Sequence, residues 1–335
     1  RQYGDVTSFD DSASFLSLPF SVRLKSSGPK KSERFLCFNY KLTTPTKGCD
    51  GVDFLYSSYS DIGGRELNED AYLASRRGSR YLFAVADGLG GHMCGELASE
   101  LAVSEAARLF DCEESDGVDV GERDACEMRS GANEADAVDA KKNDAKRLGQ
   151  KEIGADGVGG AEGFNPVGAV MSAGDRILQM QAGTGVNMKT TLAVAYISGG
   201  QLTLAHVGDS RIYVFGGGGI LYQSTDHSAS QLAVSVGEIT AEQMRTHEDR
   251  NILTRALGMS ERLRVDSVSL PCRQIDAVLL CTDGFWEYIY ETEMLDTLSH
   301  AASPDAWLGK MRGLLRGRIP TDGDNNTAIT IMKWG

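Results

Sequence analysis

Three times in this 335-residue chain an apolar run ends directly on an acidic turn: YLFAVADG (81–88), LTLAHVGD (202–209) and AVLLCTDG (277–284). Each places a carboxylate, that of Asp87, Asp209 or Asp283, at the C-terminal end of an expected β-strand. Two more acids, Asp70 in NEDAYLA and Asp324 in DNNTAITIM, stand where strands begin. In an antiparallel sheet the end of one strand lies beside the start of the next, so all five carboxylates can reach one rim. Crowded carboxylates either repel one another or take up protons, and divalent metal is the usual means of keeping them ionised. All-oxygen ligands select hard cations, Mn²⁺ or Mg²⁺, over zinc. Any one of these residues alone reads as a turn or cap aspartate; five in this arrangement read as a metal centre.

The remaining strand-like runs are TLAVAYI (191–197), RIYVF (211–215) and TAITIM (327–332), several only a few residues from the next. Such short gaps imply hairpins, with the four glycines 216–219 as one turn. Helical spacing appears elsewhere, at Leu97, Leu101, Ala106, Leu109 and Phe110, at Val170, Met171, Gly174, Ile177 and Leu178, and at Trp307, Leu308, Met311, Leu314 and Leu315. Each set supplies one apolar face suited to covering a sheet. Strands that run together while helices cluster apart define an α+β class, most simply two packed antiparallel β-sheets flanked by helices.

Residues 1–50 show no sustained period and read as an N-terminal extension to a domain over 51–335. Within that domain, residues 111–165 hold 15 Asp or Glu against seven Lys or Arg, a net of −8, with hardly any large apolar side chains. A segment of that composition buries too little to offset its ordering entropy, so an acidic, mobile insert is expected there. The whole chain carries −13, which argues against nucleic acid or an anionic membrane as partner. No uncharged apolar run approaches the roughly 18 residues of a membrane helix. Seven scattered cysteines with no C-x-x-C pair disfavour a disulfide framework or zinc site and fit a reducing, cytoplasmic compartment. The chain opens on Arg1 rather than Met, so that expectation of compartment takes no account of any targeting signal ahead of it.

The motifs SDIGGRELNED (60–70), VADGLGGHMCGELAS (85–99), TTLAVAYI with AHVGDSR (190–211), STDHS (224–228), LLCTDGFWE (279–287) and DNNT (324–327) occur in one order. In that order the chain resembles the type 2C metal-dependent protein phosphatases (the PPM family), in particular members with a DGxGGHxxGExAS motif, over roughly residues 55–335. The resemblance implies a serine/threonine phosphatase acting on phosphorylated proteins, with two metal ions and a third, weaker one. It implies that Asp87 bridges the two metals and that the Gly88 carbonyl ligates one of them. Asp283 and Asp324 are then ligands of the other metal, Glu69 and Asp70 hold metal-bound waters, and Asp209 helps hold the third ion. Arg65 is then the phosphate-gripping arginine, a role that suits a guanidinium fork. His92 is the histidine nearest the site in sequence and a candidate general acid for the leaving group. Residues 228–257 match the flap that lies beside the site in such enzymes, and His227 is expected to fix the start of that segment.

In chemistry of this kind a pair of cations activates water for in-line attack on phosphorus, with no covalent enzyme intermediate. No C-x5-R nucleophile motif and no G-x4-G-K-[ST] loop occurs in the chain. A catalytically silent, metal-binding module of the same fold is the competing reading, and it is expected to lack one or more of the carboxylates. Two departures stand out: Lys189 where such enzymes carry Gly before the paired threonines, and the tight spacing of SDIGGR, which bears on how Arg65 points. A monomer is expected.

Overall fold

A computed structural model describes residues 52–89, 94–112 and 163–334. In chain order the strands are β1 (Asp53–Asp61), β2 (Asp70–Arg77), β3 (Arg80–Leu89), β4 (Lys189–Thr190), β5 (Leu192–Ser198), β6 (Gln201–Val207), β7 (Arg211–Gly216), β8 (Gly219–Gln223), β9 (Asp266–Pro271), β10 (Ala277–Cys281) and β11 (Asn326–Trp334). The helices are α1 (Cys94–Cys112), α2 (Pro166–Thr184), α3 (Ala229–Val236), α4 (Ala241–Met244), α5 (Asp283–Trp286), α6 (Glu291–Ser299) and α7 (Pro304–Arg316). One sheet has the order β1-β11-β10-β7-β8 and the other β2-β3-β5-β6-β9, with β4 pairing to β3. The pairings are antiparallel.

The two sheets pack face to face with helices outside, and the strand period of two divides the side chains between layers. On β3, Leu82, Ala84 and Ala86 face α1 and α2, while Tyr81, Phe83 and Val85 face the opposite sheet and join Val278, Leu280, Ile329 and Ile331. On β10 the alternate residues Ala277, Leu279 and Cys281 pack on the far side with Trp307 and Met311 of α7. Both faces of the central strands are therefore buried, which is why they read as continuous apolar runs. Strands β1, β2 and β9 escape the apolar-run criterion because they are rich in Ser, Asp and Arg and only partly buried.

The α1 face differs from the one expected. Ala98, Ala102, Ala106 and Phe110 are buried, whereas Leu97 is exposed. Small residues at i, i+4 spacing let the helix lie close to β3 and α2, and the larger leucines are displaced to its flanks. Met171 of α2 is likewise exposed, while Val170, Gly174 and Ile177 are buried. Asn165 caps α2, its Oδ1 accepting from the N–H groups of Val167 and Gly168, with Pro166 in the first turn. Glu105 ties the two helices together: its carboxylate, 2% exposed, accepts from Arg108 and Ser172 and pairs with Arg176. Phe110 near the end of α1, Phe164 just ahead of α2 and Tyr196 of β5 form an aromatic triad. The expected N-terminal extension and most of the 111–165 insert lie outside the described residues.

Candidate active site

Antiparallel register brings the acids together. Asp70 at the start of β2 sits directly opposite Asp87 near the end of β3. Asp283 opens α5 immediately after β10, and Asp324 precedes β11, the strand paired with β10. Asp209 lies in the turn between β6 and β7. A cavity of about 190 Å³ opens at this rim and is walled by Arg65, Glu69, Asp87, Gly88, Asp209, Asp283 and Asp324. Of the seven expected metal-site residues only Asp70 is absent from the wall. It lies beneath, accepting from Thr282 Oγ1 at 2.8 Å.

The rim is fastened by polar side chains that the motif reading did not single out. Thr191 holds Asp87 from both sides: its N–H donates to the Asp87 carbonyl at 2.9 Å, and its Oγ1 accepts from the Asp87 N–H at 2.9 Å. Thr190 Oγ1 donates to the same carbonyl at 2.8 Å. Asn325 secures the 62–69 loop, donating through Nδ2 to the carbonyls of Ile62 and Leu67 and accepting through Oδ1 from the Glu69 N–H. Gly88 is required by space: a Cβ there would stand 2.1 Å from the Gly95 carbonyl oxygen. Lys189 pairs with Leu89 in the short β4 ladder.

Burial and mutual repulsion push these carboxyls upward. Asp70 rises to about 7, chiefly by burial and then by the charge of Asp283. Asp283 rises to about 6, through burial and then Asp324. Asp87 is held well above its ordinary range by burial and by Asp283, Asp70 and Asp209. Asp209 is raised in the same way, by burial and then Asp283. Two carboxylate oxygens, Glu69 Oε1 and Asp70 Oδ1, are buried with no hydrogen-bond partner. An orphaned buried acceptor is costly, and opposed aspartates on paired strands destabilise the ladder. A hard cation answers both, so the donor set fits a divalent metal centre.

Arg65 is 56% exposed and ion-paired to Asp324, so the tight SDIGGR spacing does aim it at the cavity. Trp286 Nε1 donates to the Asp209 carbonyl at 3.0 Å. The Trp286 ring stacks under the buried guanidinium of Arg211, which forks onto Asp226 at 2.9 and 2.8 Å. Glu287, pushed up to about 8 by burial and by Asp283, pairs with Arg250 at 3.0 Å. The stretch 228–257 carries α3 and α4, and its residues Asn251 and Leu253 also line the cavity, as do Leu89 and Asn325. His92 lies outside the described residues.

A second cluster, His206, His227 and Asp266, holds two imidazole nitrogens and a carboxylate oxygen within 4.8 Å of one another. Its hydrogen bonds are already spent on architecture. The Gly208 N–H donates to His227 Nδ1 at 3.0 Å, so the ring proton sits on Nε2 and is donated to Asp266 at 3.2 Å. The His227 carbonyl accepts from Thr254 N–H at 2.7 Å, closing the base of the flap.

An antiparallel two-sheet sandwich with a carboxylate-walled cavity and an arginine at its mouth defines a metal-dependent phosphoester hydrolase. Residues 59–315 match the family model for protein phosphatase 2C. The chain belongs to that family and is a metal-dependent protein-serine/threonine phosphatase. It is 29% identical to the serine/threonine phosphatase Stp of Listeria welshimeri over 241 residues, 71% of this chain and 80% of that one. It is 30% identical to the serine/threonine protein phosphatase PstP of Mycobacterium tuberculosis over 275 residues, 82% of this chain and 44% of PstP. The crystal structure of the PstP catalytic domain in complex with 2 manganese ions superposes with a TM-score of 0.60 at 25% identity, covering 85% of this chain and 99% of that one. Among the described residues no helix is long and apolar enough to cross a membrane.

Proposed function

We propose that this phosphatase removes phosphate from phosphoserine and phosphothreonine in proteins with a metal centre held by Asp87, the Gly88 carbonyl, Asp283 and Asp324. Glu69 and Asp70 support it from beside and beneath, and Asp209 serves a third, weaker ion. The observation that carries the reading is the pair of orphaned buried oxygens, Glu69 Oε1 and Asp70 Oδ1, in a cluster where burial raises the proton affinity of Glu69, Asp70, Asp87, Asp209 and Asp283. Mn²⁺ or Mg²⁺, as two ions with a possible third, suits an all-oxygen set. When bound, such cations supply positive charge and lower the pKa of water so that it attacks near neutral pH.

The chain's own residues do the remaining work. Arg65, exposed at the rim, offers a fork to two phosphate oxygens and offsets their charge. The Thr190, Thr191 and Thr282 hydroxyls hold the acids in place, so their geometry is set before substrate arrives. His92 is the proposed donor of a proton to the leaving serine or threonine oxygen. The sequence keeps every carboxylate the reading requires, which speaks against the silent-module reading. The reading extends to a monomer in the cytosol.

Hydrolysis of a phosphothreonine peptide and of p-nitrophenyl phosphate, with and without Mn²⁺, tests the proposal against Asp283→Asn. Mn²⁺-dependent turnover by the wild type and a loss of at least about 100-fold in the variant is the expected outcome. Equal turnover by the two proteins would remove Asp283 from the metal centre.

A further inference from the structure

The cavity is walled unevenly. The sheet rim contributes acids and Arg65, whereas the flap contributes Asn251 and Leu253. Among the rim's amide and guanidinium groups, the Asn325 side chain uses both its donor and its acceptor on the 62–69 loop, and Arg65 pairs with Asp324. Asn251 differs. It is exposed on the cavity wall and its amide has no hydrogen bond to any described residue.

The backbone around Asn251 is nonetheless pinned on both sides. Before it, Arg250 pairs with Glu287, whose side chain is only 7% exposed, one turn beyond Asp283. After it, the Ile252 carbonyl accepts from Ala229 N–H at 2.8 Å, Leu253 bridges to Ser228, and Thr254 N–H donates to the His227 carbonyl at 2.7 Å. Residues 250–254 thus form a strap along one wall of the cavity, with its ends tied to Glu287 just after α5 and to the flap base. A free amide on a held backbone is positioned in advance, so its engagement costs little ordering entropy.

We infer that Asn251 is a substrate-positioning residue, its side-chain amide hydrogen-bonding the peptide backbone next to the phosphorylated residue while the phosphate enters the acidic rim. This rests on the phosphatase reading given above. An asparagine amide offers both a donor and an acceptor, matching a peptide unit, and neither a carboxylate nor a guanidinium does so alone. Its contribution belongs to protein substrates and not to the phosphoester itself, so its loss should appear as weaker capture of a peptide.

Steady-state kinetics at saturating Mn²⁺ separate the two contributions, using a phosphothreonine heptapeptide, free phosphothreonine and p-nitrophenyl phosphate on the wild type and on Asn251→Ala. The expected result is a rise of about fivefold in KM for the peptide with kcat within about twofold, and a change of at most about twofold in kcat/KM for the two esters that lack a peptide. Because Asn251 is exposed, the thermal midpoint should move by less than about 2 °C. An equal loss on all three substrates, or an unchanged peptide KM, overturns the assignment. Failure of the wild type on all three instead refutes the phosphatase reading, and the role of Asn251 falls with it.

Discussion

Asp70 shows what the site demands of single residues. It faces Asp87 across a strand pair, bonds Thr282 through one oxygen and leaves the other buried without a partner. Its carboxyl is raised from 3.8 to about 7 by burial first and by the Asp283 charge after it. The metal-free folded chain therefore holds this proton more tightly than the unfolded chain, and the associated stability is complete below about pH 4 and lost as pH rises through about 7. His206 has the opposite slope, because burial lowers it to about 4 and its contribution is lost as pH falls below 6.5. Comparison with Asp70→Asn isolates the aspartate. In chelator, the thermal midpoint of the wild type should drop below that of the variant by about 5 °C or more between pH 5 and pH 8. Saturating Mn²⁺ should close or reverse the gap, since cation binding favours the ionised carboxylate. A gap that is the same at both pH values in chelator contradicts the account of Asp70.

At the scale of elements, the flap is moored to the sheet core by a chain of charges and rings. Arg211 of β7, 2% exposed in its side chain, forks onto Asp226 and stacks on Trp286 of α5. Arg245, just after α4, makes two 2.7 Å bonds to Glu291 of α6 and lies over the rings of Trp286 and Tyr290. Trp286 in turn donates to the carbonyl of Asp209. Removing one member of a buried pair strands the other charge, so Asp226→Ala should cost about 3–5 kcal/mol of stability, read by denaturant unfolding. A cost below about 1 kcal/mol would mean that Glu291, Trp286 and Tyr213 satisfy the guanidinium without Asp226. Little of this mooring was legible beforehand. Asp226 and Arg211 stand in recognisable motifs, STDHS and AHVGDSR, but their pairing joins positions 15 residues apart on two sides of a hairpin. Arg245, Arg250 and Asn251 carry no local pattern at all, and tertiary placement alone gives them a role.

For the whole molecule, the central strands and the acids at their ends could be read directly, because a strand buried on both faces is a continuous apolar run and a turn aspartate follows it in the chain. Strands β1, β2 and β9 were hidden by their polar, half-buried composition. The α1 face was displaced because the close packing of alanines, rather than the leucine pattern, decides its orientation. Thr191, Thr282 and Asn325 were within motifs but carry no chemistry by type; their part is to fix the acids, and it depends on contacts more than 100 residues away in sequence. Central to the proposed function is that strand register assembles these acids into a cation site that drives phosphate hydrolysis. Its most direct test is the number of Mn²⁺ ions bound per chain at saturation, counted by equilibrium dialysis on the sample used for phosphothreonine-peptide hydrolysis, for the wild type and for Asp87→Asn. At least two ions bound by the wild type, with fewer ions and lost hydrolysis in the variant, is the predicted result. Hydrolysis that persists in a wild-type chain stripped of metal, or an Asp87→Asn chain that binds Mn²⁺ in full, would contradict it.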